Sequence, residues 1–151
     1  MPLSAADLQH LEAEGWVLAK DIIPPAYIHA LQREIDAVID AKAAQLAAEG
    51  KLTDTHPDAG FLTRAAQIYQ QTPEILTPVQ GGNHAGQAMY ELLTCPDLLD
   101  AMEQLVGPEI VASSIYRLRP KLPFWEQGIV PVHQDAGCKY CAQHGVAGLL
   151  T

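Results

Sequence analysis

The chain has 151 residues, of which 48% are hydrophobic and 18% are charged, a composition typical of one globular domain and not of a disordered chain. Eighteen acidic residues against nine Lys and Arg give a formal net charge of −9, which disfavours nucleic acid and anionic membrane surfaces as partners. The sequence shows no apolar run long enough to span a membrane, no secretory signal at its start and an odd number of cysteines, three. Together these features predict a cytoplasmic protein.

The beginning of the chain predicts a short helix and a strand. Ser4 is followed by an acid three residues later, Asp7, the pattern of a capping box at a helix N-terminus. Gly15 supplies the helix end, since glycine adopts the left-handed conformation without strain. Residues 16–18 are aromatic and aliphatic, which favours a brief strand.

Three further helices are predicted downstream. Between residues 26 and 49, apolar side chains recur every three or four positions, which indicates a long amphipathic helix that ends at Gly50. Residues 61–71 form a shorter helical pattern, and residues 81–83 predict a turn. A last helix begins at Pro96 and ends at a Gly-Pro pair, with its apolar residues on one face.

The apolar period changes after the last helix. Residues 110–118 and 128–134 read as two strands joined by a proline-containing connection. The prediction is therefore one α+β domain covering residues 1–151, with a helical part over about 1–107, the start of a β-structure over about 108–137 and a divergent tail over 138–151.

The strongest chemical signal is the tripeptide His133-Gln134-Asp135. Alternate side chains of a strand point to the same face, so His133 and Asp135 would project together while Gln134 points away. An imidazole and a carboxylate make up two of the three ligands in the 2-His-1-carboxylate site of non-haem Fe(II) enzymes. The spacing alone also fits a histidine at a strand end that is hydrogen-bonded to a nearby carboxylate.

The sequence around this tripeptide resembles the phytanoyl-CoA dioxygenase family, which are non-haem Fe(II), 2-oxoglutarate-dependent oxygenases. The resemblance spans roughly residues 8–137, and the His-Gln-Asp motif is its most specific part. The matching segments are Glu14-Gly15-Trp16-Val17-Leu18, Gly107-Pro108-Glu109-Ile110, Tyr116-Arg117-Leu118-Arg119-Pro120-Lys121 and Val130-Pro131-Val132-His133-Gln134-Asp135-Ala136-Gly137.

The resemblance implies a fold, cofactors and site residues. It implies a double-stranded β-helix (jelly-roll) decorated by N-terminal helices, of which this chain would contain only the first strands. It implies Fe(II), with 2-oxoglutarate and O2 as cosubstrates, and hydroxylation of a small organic substrate whose identity the sequence does not show. His133 and Asp135 would be the metal ligands, and Gln134 would assist cosubstrate binding or strand packing.

A small basic island lies ahead of the motif. Arg119 and Lys121, with Arg117, alternate along the predicted strand and could attract the carboxylates of 2-oxoglutarate. An equally good interpretation is that they are charges on an edge strand that discourage aggregation.

The chain departs from the family pattern after Asp135. The resemblance implies a second histidine far downstream and then an arginine that pairs with 2-oxoglutarate, but only sixteen residues follow Asp135 and none of them is arginine. His144 is too near in sequence to be the expected ligand. We therefore expect a truncated oxygenase that is inactive as this chain alone, self-associates through unpaired strand edges, or is completed by another polypeptide.

Two alternatives remain open at this stage. The chain could be a non-catalytic oxygenase remnant that acts as a binding or interaction module. The cluster Cys138, Cys141 and His144 could instead ligate zinc, although two free thiols in a tail explain it as well.

Other polar residues are assigned structural roles. His84 is predicted to be a solvated loop residue, and Glu34 to lie on a solvated helix face with Asp36 and Asp40. Cys95, just before Pro96, is predicted to be a small buried residue at the helix entrance.

Overall fold

The computed structural model describes residues 3–112 and 118–123 of the chain. These residues form five α-helices and one 3-10 helix. The elements in chain order are α1 (Ala5–Glu14), α2 (Pro25–Ala48), α3 (Phe61–Gln71), the 3-10 helix (Pro73–Leu76), α4 (Gln87–Leu93) and α5 (Pro96–Val106).

The predicted α+β class with the first strands of a jelly-roll is wrong, because the structure is predominantly α and its described residues form no sheet. Their only β-pairing is a single antiparallel bridge between Gly81 and Leu118. The predicted strand at residues 16–18 is absent, because no described segment pairs with these residues. Trp16 and Leu18 are 60% and 71% exposed. Residues 110–112 are likewise not a strand, whereas residues 113–117 and 128–134 lie outside the described residues.

The first helix is capped as its sequence predicts. The Ser4 hydroxyl accepts a hydrogen bond from the Asp7 backbone N–H at 3.1 Å, and the Asp7 carboxylate accepts one from the Ser4 backbone N–H at 2.9 Å. Gly15 ends the helix with φ at +78°, and its N–H donates to the Leu11 carbonyl. No residue of α1 is buried, so local capping is an important source of its order.

The long helix α2 supplies one wall of the core. Its bounds confirm the predicted helix at residues 26–49 within one residue at each end, and Gly50 follows with φ at +72°. The apolar stripe of α2 packs against α3 and the 3-10 helix. The buried members of this core are Ile39, Ala43, Leu46, Leu52, Ile68, Ile75, Leu76 and Val79.

Polar contacts hold α3, which has the predicted bounds, against the preceding loop and α2. The Gln71 side-chain carbonyl accepts backbone N–H bonds from Thr53 at 3.1 Å and Asp54 at 3.2 Å. The half-buried Arg64 side chain forms an ion pair with Asp40 on α2.

The two short helices were not predicted, whereas α5 was. Pro73 looks like a helix breaker but occupies the first turn of the 3-10 helix, where its missing N–H is no loss. The seven residues of α4 are too few for a clear apolar period. The helix from Pro96 is confirmed, and Cys95 before it is fully buried, as predicted. None of the described helices combines the length and apolar character needed to cross a membrane.

Candidate functional site

Most of the predicted site residues lie outside the described residues, so their roles stay predictions. These residues include both proposed iron ligands and all three members of the proposed zinc cluster. They are His133, Gln134, Asp135, Cys138, Cys141 and His144.

Two members of the basic island, Arg119 and Lys121, are described, and both are exposed. The residues between and beside them, Leu118, Pro120 and Leu122, are half-buried, and Leu122 packs against the core. Exposure therefore alternates along this segment, and the two cations are its more exposed members.

The basic segment is fixed to the helical body by the bridge at Leu118. The Gly81 N–H donates to the Leu118 carbonyl at 2.9 Å, and the Leu118 N–H donates to the Gly81 carbonyl at 2.8 Å. Gly81 has φ at +68°, a conformation that glycine adopts without strain. This reciprocal pair sets the register between the basic segment and the loop that precedes α4.

The same loop contributes a buried histidine to a hydrogen-bonded pair that the sequence analysis missed. His84 is only 7% exposed, and its Nε2 lies 2.8 Å from Oε1 of Glu34 on α2. An ionised carboxylate carries no hydrogen, so Nε2 is the donor. The predictions that His84 is solvated and that Glu34 belongs to a solvated face are both wrong.

The Glu34 carboxylate also caps α4. Its Oε2 accepts a hydrogen bond from the Ala88 N–H at 2.8 Å, and its Oε1 accepts a longer one from the Met89 N–H at 3.4 Å. These N–H groups belong to the first turn of α4, where backbone N–H groups have no acceptor within the helix. A negative charge is also favourable at this end of a helix. One side chain of α2 thus holds both His84 and the start of α4.

The environment of Glu34 favours its ionised form. Partial burial acts to raise the pKa of Glu34, but the hydrogen bonds from Ala88, His84 and Met89 outweigh it and lower the pKa below its usual 4.5. The carboxylate is therefore charged at neutral pH. With its oxygens engaged by three donors, it is suited to fixing the loop, not to transferring protons.

A signal for this pair was present in the helix spacing. Glu34 lies three residues after Leu31 and four before Val38, so it falls on the apolar stripe of α2 and not on the opposite face. An acid at such a position needs a partner when the stripe is buried. Nothing in the sequence identifies the partner, because His84 is 50 residues away.

A second polar cluster surrounds His56, in a shallow depression beside α3. His56 has φ at +46°, and its backbone N–H donates to the Asp54 carboxylate at 2.8 Å. Its Nε2 lies 3.1 Å from Nε2 of Gln71, and its Nδ1 lies 3.4 Å from the Asp54 carboxylate. Both ring nitrogens are thus engaged within the protein, which makes this cluster a turn-stabilising network.

Within residues 3–112 and 118–123, no three His, Cys, Asp or Glu side chains are grouped so that they could hold a metal ion. The chemistry proposed from the sequence therefore depends on the motif at residues 133–135. No protein-family model matches the chain, and neither a curated protein nor a solved structure does.

Proposed function

We propose that the chain is part of an oxygenase of the phytanoyl-CoA dioxygenase type, in which His133 and Asp135 are two ligands of a non-haem Fe(II) centre. The enzyme would use 2-oxoglutarate and O2 to hydroxylate a small organic substrate in the cytoplasm. The observation that carries the proposal is the His133-Gln134-Asp135 motif within its matching context at residues 130–137.

The donor types fit the metal. Fe(II) in these sites takes imidazole and carboxylate ligands on one face and leaves open positions for cosubstrate and oxygen. When bound, the iron would activate O2 and hold the oxo-acid. His133 and Asp135 supply one donor of each kind, and a facial triad requires one further imidazole, which we do not assign to a residue of this chain.

The basic segment supports an anionic cosubstrate. A chain with a net charge of −9 repels a dicarboxylate at long range, so binding of 2-oxoglutarate requires local cations. Arg119 and Lys121 are exposed on the segment that leads towards the motif, and we propose that they attract the carboxylates, with Gln134 as an additional polar contact.

The test is an anaerobic Fe(II) titration followed by 2-oxoglutarate binding. We expect weak iron binding that is lost in His133→Ala and in Asp135→Ala but is retained in the matched tail variant Cys138→Ser/Cys141→Ser. Succinate formed on adding O2 would identify a working oxygenase. We expect none, because His133 and Asp135 are two of the three ligands, and iron binding without succinate fits an oxygenase part that is inactive alone as well as a non-catalytic remnant.

The opposite pattern would overturn the proposal. Metal binding that is indifferent to His133 but lost in the cysteine variant would assign the metal to the tail, as a zinc site formed by Cys138, Cys141 and His144. In that case the oxygenase-like motif would have no role in metal binding.

A further inference from the structure

The loop between the 3-10 helix and α4 is fastened at several points. The Asn83 side-chain N–H donates to the Thr77 carbonyl at 2.7 Å, which closes the loop on itself. His84 is bound to Glu34 on α2, and Gly81 is paired with Leu118. The loop is therefore one of the links between the helical body and the basic segment.

The position of His84 constrains Gly81 directly. The two residues are three positions apart, so their α-carbons are separated by at most about 11 Å. Asn83, which lies between them, is itself tied back to Thr77. Since the loop has little slack, the direction in which Gly81 presents its N–H and carbonyl depends on where His84 is held.

Glu34 is well placed to hold His84 in position. Glu34 lies within the 24-residue helix α2, the longest element of the described part, whose other turns supply Ile39, Ala43 and Leu46 to the core. The same carboxylate fixes the far end of the loop through Ala88. Both the middle of the loop and its exit into α4 are thus held by one charged group.

We propose that Glu34 and His84 are positioning residues that hold Gly81 against Leu118 and thereby fix the placement of Arg119 and Lys121 on the surface. That these cations bind an anionic cosubstrate rests on the proposed function. The placement itself does not, because it follows from the bonds among Glu34, His84, Gly81 and Leu118.

Other contacts limit the size of the effect. Leu122 packs against the core at the far end of the segment, so losing the Glu34–His84 bond should loosen the bridge without detaching the whole segment. A local readout at the bridge is therefore more informative than the overall stability.

The experiment is amide hydrogen exchange at Leu118 and Gly81 in two disrupting variants, Glu34→Ala and His84→Phe. The phenylalanine ring, somewhat larger than the imidazole, still fills the space of the His84 ring but cannot donate a hydrogen bond. We expect exchange at both amides to accelerate about tenfold or more, the factor that loss of one buried, charge-assisted bond produces. The Thr72 amide, bonded to Ile68 at the end of α3, serves as the internal reference for global opening.

Two further variants sharpen the result. Glu34→Gln should restore most of the protection at Leu118, since the amide oxygen still accepts from Ala88 and its N–H can donate to the other tautomer of His84. Ser4→Ala removes a helix cap remote from the loop and should leave the Leu118 exchange rate unchanged. Unchanged exchange at Leu118 in both disrupting variants would overturn the proposal.

A second arm measures 2-oxoglutarate affinity at a temperature where every variant is folded. If the inference and the proposed function both hold, Glu34→Ala and His84→Phe weaken binding, Glu34→Gln restores it, and Arg119→Ala weakens it directly. If the parent chain binds no 2-oxoglutarate, the anion role of Arg119 fails, and exchange at Leu118 alone decides whether Glu34 and His84 position the bridge.

Discussion

Replacing Gly86 with alanine tests the contacts of Glu34 most directly. A β-carbon at Gly86 would overlap the Glu34 carboxylate. The backbone of Gly86, with φ at −122° and ψ at 170°, is one that alanine adopts readily, so strain at this position comes from the overlap alone. The carboxylate has no easy escape, because moving it breaks its bonds to His84 and Ala88, both 2.8 Å long.

The expected magnitude follows from those bonds. A hydrogen bond to a charged group contributes about 1.5–3 kcal/mol to stability, and two such bonds would be weakened together. Part of this loss is recovered as water solvates the displaced carboxylate, so we expect Gly86→Ala to lower the free energy of unfolding by about 2–4 kcal/mol. Glu34→Ala should have an effect of similar size, since it removes the same bonds.

The two changes should not add. In a Glu34→Ala background the overlap is gone, and the Gly86→Ala change then costs only the modest preference for glycine over alanine at an N-cap position, about 0.5–1 kcal/mol. The double variant should therefore be more stable than the sum of the single effects by about 2 kcal/mol.

Urea unfolding of the parent, both single variants and the double variant measures this coupling. Gly60→Ala is the matched control: Gly60 is the N-cap of α3, and a β-carbon there meets nothing within 4 Å. We expect Gly60→Ala to show the N-cap preference alone. Effects at Gly86 and Glu34 that add to within about 0.5 kcal/mol would refute the reasoning.

Single contacts give three further predictions. The pKa of Glu34 is lower in the folded chain than its usual 4.5, so its contribution to stability is complete above pH 4.5 and is lost as the pH falls through the folded pKa. In urea unfolding between about pH 5 and pH 3, the free energy of unfolding should therefore fall less steeply in Glu34→Gln than in the parent. Ser4→Ala should increase amide exchange within α1 by about fivefold, the effect of about 1 kcal/mol for a lost cap, with little change in the global unfolding midpoint because α1 buries no residue. Gln71→Ala removes an acceptor for the exposed backbone N–H groups of Thr53 and Asp54 and should lower the free energy of unfolding by about 0.5–1.5 kcal/mol, whereas an unchanged midpoint would show that water replaces the side chain.

The helices with clear termini could be predicted because their signals are local. Ser4 with Asp7 starts α1, Gly15 ends it, and Gly50 follows α2, each through a bond or a backbone angle within a few residues. The helix from Pro96 has the same kind of local start. Such signals act within one turn, so they can be read before the tertiary structure is known.

The strand predictions that failed had no local signal comparable to these helix caps. Strand propensity describes how a side chain fits a pleated and paired surface, and the pairing partner is not specified by the segment itself. Trp16 and Leu18 have the right residue types but remain exposed with no strand beside them. By contrast Leu118, at the end of a predicted strand, does find one pairing partner, and that partner is a glycine in a loop.

The Glu34–His84 pair shows why a site can be half predictable. The helical spacing of α2 places Glu34 on the apolar stripe, which is enough to predict that it needs a polar partner. Identifying His84 as that partner requires the path of the chain through the 3-10 helix and the turn at Gly81. Neither of these elements has a periodic apolar pattern from which it could be predicted. The pair also requires glycine at position 86, because any β-carbon at Gly86 would displace the Glu34 carboxylate. The Glu34–His84 contact is therefore specified jointly by a helix position, a turn and a glycine. Its loss should accelerate amide exchange at the Gly81–Leu118 bridge by more than the lower global stability accelerates it at Thr72.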